Sequence, residues 1–160
     1  MRVGVVSDTH GHVPYTRAAV ERLAEQAVEM VLHCGDIGSP EVVPLFQRWP
    51  TRFVFGNVDR NERALRQAIE AAGQTCHGRI GELTLAECRI ALVHSDDHLL
   101  FRRTIAGGEY DLVCHGHTHV AEHHREGRTL VLNPGALYRA SPHSLAIVTL
   151  PELEVEHLTV

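Results

Sequence analysis

The apolar residues of this chain fall into short runs, and most of the runs break off in a polar cluster. In the first half, residues 3–6, 30–33 and 52–55 are β-rich stretches too short for helices, the pattern of strands buried on both faces. Between them the spacing lengthens. Val20, Leu23, Ala24, Ala27 and Val28 recur at helical intervals with Glu and Arg between them, which predicts a helix from Tyr15 to about Val28 with Pro14 in its first turn. Ser39 followed by Pro40 marks a second helix start, the serine as cap and the proline at the first helical position. Leu65, Ala68, Ile69 and Ala72 define a third helix, stopped at Gly73;. Alternation of strand and helix at this spacing predicts right-handed crossovers and a largely parallel sheet.

The second half changes character. Residues 74–93 hold several short β-type runs with breaks at Gly78 and Gly81, which predicts antiparallel strands. Residues 99–106 read as a helix, and the apolar run 112–114, between Gly107-Gly108 and Gly116, as a buried strand. Strands over 121–124 and 129–132 follow, with a turn at Glu126-Gly127 and a loop at Asn133-Pro134-Gly135. Two late strands cover 144–150 and 152–159. With no repeat and no linker, the expectation is a single two-sheet α/β domain over residues 1–160.

Composition narrows the function. The net charge is −5, and no dense basic run is present, which argues against a nucleic-acid groove. The chain has no lysine, which excludes Schiff-base and P-loop lysine chemistry. Cys34, Cys76, Cys88 and Cys114 are scattered without a C-x-x-C pair. That spacing, the lack of a signal pattern and the lack of a membrane-length apolar run predict a soluble protein of the reducing cytoplasm. Phe46, Trp49 and Phe101 are expected in the core, the alternative being the interface of a homo-oligomer.

The polar clusters carry the chemistry. Asp8 and His10, then Asp36, Asn57 with Asp59, His94, and His117 with His119 each follow an apolar run. In open α/β sheets the loops after successive strands converge on one crevice. Any single cluster has a structural explanation as a cap or turn; all of them at one end point to a metal site. So many oxygen and nitrogen donors, without a thiolate, are too many for one tetrahedral zinc. They suit two ions among Mn²⁺, Fe²⁺, Co²⁺ and Zn²⁺. Two cations about 3.5–4 Å apart acidify a bridging water and stabilise charge on a phosphoryl group.

The ordered series Asp8-x-His10, Gly35-Asp36, Gly56-Asn57-x-Asp59, His94 and Gly116-His117-x-His119 resembles that of the calcineurin-like metallophosphoesterases. The chain length and Asn133-Pro134-Gly135 are similar to the compact bacterial and archaeal phosphodiesterase branch. The resemblance spans residues 3–135 and implies a four-layer α-β-β-α sandwich of two mixed sheets flanked by helices. It implies one metal held by Asp8, His10, Asp36 and His119. A second would be held by Asp36, Asn57, His94 and His117, with Asp36 as bridge. Manganese is the expected ion, with Fe, Co, Ni or Zn as alternatives. Asp36, Asn57, Asp59 and His94 are the expected catalytic set, Asp59 orienting its neighbours rather than ligating. The implied activity is hydrolysis of a small phosphodiester by a metal-bridging hydroxide. A phosphomonoesterase on the same centre and a scaffold like the related retromer subunit are the alternatives.

Two departures from the pattern bear on mechanism. Many members carry histidine where this chain has Val58, which neither protonates a leaving group nor stabilises charge; His12 or His98 is the candidate replacement acid. The compact branch usually shows His-Gly-His where this chain has His94-Ser95-Asp96, so Asp96 and Asp97 add negative charge near the crevice. His115 is expected to be packed. His33, His77, His123, His124, His143 and His157 are expected to be structural or exposed. Arg102, Arg103 and Arg139 are expected to be solvated, gripping phosphate being the alternative.

Overall fold

The computed structural model describes residues 1–160. One sheet has the order β11-β10-β1-β2-β3-β4. It is formed by β1 (Arg2–Val6), β2 (Met30–His33), β3 (Thr51–Phe53), β4 (Thr75–Cys76), β10 (Ser144–Thr149) and β11 (Glu154–Thr159). The second sheet has the order β5-β6-β7-β9-β8, with β5 (Ile80–Leu85), β6 (Cys88–Val93), β7 (Leu112–Cys114), β8 (Ala121–Glu126) and β9 (Thr129–Pro134). Both sheets are mixed. β1 through β4 run parallel, and β10 lies antiparallel to β1. In the second sheet β6, β7 and β9 run parallel between antiparallel β5 and β8.

Strand alternation builds the layers. Val3, Val5, Leu32, Ala146 and Val148 project toward Ile90, Leu92, Leu112 and Leu132, and together they fill the space between the sheets;. The intervening residues Val6, Val31, Leu145 and Ile147 face the other way. They pack under α1 (Val13–Glu25), the 3₁₀ segment Pro40–Phe46 and α2 (Glu62–Ala71). On the outer face of the second sheet, Ala91, Val93, Val113 and Val131 meet α3 (His98–Ala106) through Ile105. The result is the four-layer sandwich, with helices on both outsides. Phe46 and Trp49 are core residues, and Phe101, on α3, is half-buried against the outer face of the second sheet. Burying side chains of this size contributes about 1.5–3 kcal/mol each.

Several local readings need correction. The first helix starts at Val13, ahead of Pro14, and ends at Glu25, because Ala27 takes a left-handed φ of 52°. The residues between 74 and 93 do not form one antiparallel unit: β4 pairs parallel with β3, in the other sheet. Gly78 is a break, with a φ of 74°, whereas Gly81 lies within β5 opposite Leu92. The actual turn of that hairpin is Ala86-Glu87, both in left-handed backbone, as two-residue hairpin turns require. Asn133 and Pro134 extend β9 rather than forming a loop.

Candidate metal centre

Asp8 and His10 follow β1, Asp36 follows β2, Asn57 follows β3, His94 follows β6, and His117 and His119 follow β7. The two sheets therefore deliver their loops to one edge. Backbone bonds zip these loops together. The Asp8 and His10 amides donate to Gly35 and Asp36 carbonyls at 3.0 and 2.9 Å. Across the sheets, the His117 amide donates to Asp8 Oδ2 at 3.1 Å. Asp8, His10, Asp36, His117 and His119 all have φ between 45° and 74°, a left-handed backbone costing on the order of 1 kcal/mol each for non-glycine residues. Such strain concentrated on candidate ligands points to function rather than packing.

Close approach adds glycines of another kind. A Cβ on Gly56 would stand 2.1 Å from Asp36 Oδ1, and one on Gly116 1.9 Å from Ser7 Oγ and 2.7 Å from Asp8 Oδ2. The two carboxylates occupy space that only glycine leaves free.

The imidazoles are held by their far nitrogens. His94 Nδ1 lies 2.8 Å from the Cys34 carbonyl, and His119 Nδ1 lies 3.1 Å from the Arg139 carbonyl. A carbonyl only accepts, so each Nδ1 carries a proton and each Nε2 presents a lone pair in the neutral ring. These lone pairs face acceptors. His119 Nε2 is 3.1 Å from Asp8 Oδ1, His94 Nε2 is 3.2 Å from Asp36 Oδ1, and His10 Nε2 is 3.4 Å from His119 Nε2. Asp8 Oδ1 and His94 Nε2 are buried with no hydrogen-bond partner. Acceptors converging in a buried site need positive charge, either protons or cations.

The proton affinities tell the same story. Burial alone would raise the Asp8 carboxyl, but the imidazoles of His10, His119 and His94 hold it well below the usual carboxylate range. Asp36 is also lowered: burial opposes, and His94 and the Val58 amide prevail. Burial would lower His94, yet Asp36 and Asp8 raise it, and Asp8 raises His119. Ionised carboxylates interleaved with electron-rich imidazoles are a donor set suited to divalent cations.

Two triads gather their ligand atoms within 4.8 Å: Asp8, His10 and His119, and Asp8, Asp36 and His94. Asp8 is common to both. Asp36 also reaches both sides, with Oδ2 3.8 Å from His10 Nε2 and Oδ1 3.2 Å from His94 Nε2. His117 joins through its ring, 5.2 Å from that of His94. Asn57 is exposed, but its neighbours press on the site: the Val58 amide donates to Asp36 Oδ1 at 3.0 Å. Asp59 lies beneath, each oxygen accepting a backbone amide at 2.8 Å, from Gly38 and from Gly56. It ties the loop after β2 to the loop after β3.

The surrounding residues have distinct jobs. Asn133 Nδ2 donates to Gly116 O and Thr118 Oγ1 at 3.2 and 2.8 Å, clamping the loop that carries His117 and His119. His33 is fully buried under the site, with Nε2 3.0 Å from Thr9 Oγ1 and Nδ1 accepting from the Gly35 amide at 3.3 Å. His115 is buried against Phe101, Ser95 and Gly116 O. Asp96 pairs with Arg79 at 2.5 Å and Asp97 caps α3 through Leu100 N at 3.0 Å, so neither acidic side chain stands free. His98 lines a cavity with His115, His117 and Thr118. Arg102 and Arg103 are exposed on α3, whereas Arg139 sits beside His119. Tyr138 and Tyr15, near the site through contacts described below, carry no local sequence signal: ring stacking between distant segments is a tertiary property.

Comparison with known proteins identifies the family and the fold. A phosphodiesterase of Methanocaldococcus jannaschii is 29% identical over 138 residues, covering 84% of this chain and 83% of the relative. A solved archaeal phosphodiesterase superposes with a TM-score of 0.92 at 26% identity over the full length of both chains. Vps29 of Entamoeba histolytica, solved as a zinc complex, shares the fold alone, with a TM-score of 0.64 at 18% identity over 100% of this chain and 98% of its own. The calcineurin-like phosphoesterase superfamily domain matches residues 1–153. With the ordered motifs, the two mixed sheets and the acceptor-lined edge in agreement, this chain belongs to the calcineurin-like phosphoesterase superfamily.

Proposed function

We propose that this chain hydrolyses small phosphodiesters on a centre of two divalent metal ions, manganese first among them. Asp8, His10, Asp36 and His119 would hold one ion, and Asp36, Asn57, His94 and His117 the other. The observation that carries the reading is the pair of Nε2 lone pairs from His94 and His119 facing two ionised carboxylates, with His10 Nε2 3.4 Å from His119 Nε2. When bound, such a pair supplies an acidified water as nucleophile and positive charge against the phosphoryl oxygens.

The protein's own part is positioning. Cys34 O and Arg139 O fix the tautomers of His94 and His119, so that both Nε2 atoms stay available. Asp59 holds Gly56 in contact with Asp36, and Asn133 holds the loop of His117 and His119. Val58 leaves the leaving group without an acid at that position. His12 is the better replacement of the two candidates: its Nδ1 accepts from Tyr15 N at 3.3 Å, which leaves Nε2 to carry the proton. The free state of all four cysteines fits a reducing cytoplasm;.

The test is cleavage of bis(p-nitrophenyl) phosphate by chelator-stripped protein before and after Mn²⁺ is restored. The corresponding monoester runs alongside, and Asp36→Ala serves as control. Metal-dependent diester cleavage that disappears in the control is the expected result. Faster cleavage of the monoester would reassign the centre to phosphomonoesters. Absence of turnover with Mn²⁺, Fe²⁺, Co²⁺, Ni²⁺ and Zn²⁺ in folded, metal-loaded protein would refute an enzymatic role.

A further inference from the structure

Beside the centre stands a column of rings drawn from three segments of the chain. His143 and Tyr15 have centroids 3.9 Å apart, Tyr15 and His12 4.6 Å, and His12 and Tyr138 4.4 Å at an interplanar angle of 11°. Tyr138 in turn lies 6.3 Å from His10, whose ring is 5.4 Å from His119. The column thus runs from the surface into the ligand set. Tyr15 is exposed, and His12, Tyr138 and His143 are half-buried, so their rings are not withdrawn into the core.

The inner end of the column is fixed to the centre by backbone. Tyr138 N donates to Asp8 O at 3.1 Å, and Arg139 O accepts from His119 Nδ1 at 3.1 Å. Arg139 takes a φ of 56°, and its guanidinium lies 5.7 Å from the Tyr138 ring centroid while its side chain stays exposed. One ring face of Tyr138 is occupied by His12 in near-parallel stacking. An exposed cation over a half-buried phenol ring is an arrangement that receives flat π-systems, which stack on the ring as the guanidinium swings outward.

We infer that the Tyr138–Arg139 end of this column seats a flat aromatic ester group of the substrate, a nucleobase or a simple aryl ring, while its phosphate lies at the metal centre. The inference rests on the phosphodiesterase reading and adds a substrate class to it. The column supplies rigidity: Tyr138 is backed by three further rings, so little side-chain order remains to be lost on binding. Sequence tolerance follows, since each base presents a π-face. An alkyl ester of equal charge gains nothing at this seat.

The test is calorimetric binding of three probes to Mn²⁺-reconstituted protein: methylphosphonate, phenylphosphonate and thymidine 5′-phosphate. The two phosphonates resist hydrolysis and share the same charge. Wild-type protein is expected to bind phenylphosphonate or thymidine 5′-phosphate about tenfold more tightly than methylphosphonate, within the range of base–aromatic stacking. Tighter binding of the nucleotide than of the phenyl probe identifies a nucleoside seat; the reverse order identifies an aryl seat. In Tyr138→Leu the preference should fall below about twofold, and Tyr138→Phe should restore it. Tyr15→Leu, remote from the ligands, should weaken it less. Metal content and melting temperature of each variant separate loss of the seat from misfolding. Equal binding of the phenyl and methyl probes to wild type, with no gain for the nucleotide, overturns the inference. So does a preference that survives Tyr138→Leu in a folded, metal-loaded variant. A wild-type protein that cleaves no diester removes the catalytic reading, and the three binding constants still decide whether the seat exists.

Discussion

Gly56→Ala tests whether backbone packing sets the centre. The added Cβ would lie 2.1 Å from Asp36 Oδ1, 2.5 Å from Asp36 N and 2.8 Å from Asp36 Cγ. Real Cβ contacts are essentially never shorter than 3.0 Å, so the carboxylate oxygen must move by at least 3.0 − 2.1 = 0.9 Å. Relaxation in the other direction is blocked, because Gly56 N is held by Asp59 Oδ2 at 2.8 Å. A misplacement of roughly 1 Å in a reacting constellation costs on the order of 100-fold in rate. Overpacking of this kind costs about 1–3 kcal/mol of stability, or roughly 2–12 °C in melting temperature for a chain of this size. Gly116→Ala should behave alike through Asp8, 2.7 Å from its added carbon. Gly107→Ala is the control: it meets nothing nearer than Arg103 O at 3.4 Å and needs no left-handed backbone. Metal content after reconstitution, diester turnover and thermal melts are measured on all three. Full metal occupancy and wild-type turnover in Gly56→Ala would show that Asp36 does not need its observed position, and the site geometry argued above would be wrong.

Two further outcomes follow from proton affinities. Burial pushes His33 down to about 4 from an ordinary 6.5. The unfolded chain therefore binds a proton that the folded chain refuses. Stability is complete above pH 6.5 and drains as the pH falls toward 4, by roughly 2 kcal/mol between pH 7 and pH 5; denaturant titrations at the two values should show that slope reduced in His33→Gln, and an undiminished slope would exclude His33 as its source. Metal binding should release protons, because His94 and His119 are raised in the metal-free protein by Asp36 and Asp8;. Calorimetry of Mn²⁺ binding near pH 6.5 in buffers of different ionisation enthalpy reads that release, which should shrink as the pH rises, and a heat independent of buffer would contradict the raised affinities.

The parts of this architecture written in local sequence are those where one residue type answers one local demand. Runs such as 30–33, followed at once by Cys34-Gly35-Asp36, announce both the buried strand and the candidate ligand at its end. Ser39-Pro40 announces its helical turn, although the geometry is 3₁₀ rather than α. What failed locally depends on partners. Thr75-Cys76 is two residues long and joins β3 through pairings that no window around it encodes. Gly81 reads as a break because glycine weakens strands, but its backbone is simply paired opposite Leu92. Asp96 and Asp97 read as free negative charge; the fold brings Arg79 to Asp96, whereas Asp97 caps the helix that directly follows it, a local relation the reading passed over. The candidate ligands were legible because each sits in its own strand-end motif; the stacking of Tyr15 on His143, 128 positions away, was not.

The candidate ligands hang from different halves of the molecule. Asp8, His10 and Asp36 belong to the sheet of β1 and β2; His94, His117 and His119 belong to the sheet of β6 and β7. Cations gripped by both would act as rivets through the seam between two slabs otherwise joined mainly by an apolar, non-directional filling. Metal supply would then govern more than turnover. A starved chain would be a looser laminate, its slabs free to shear near the ligand edge, and that is where proteases and chaperones would find their first foothold.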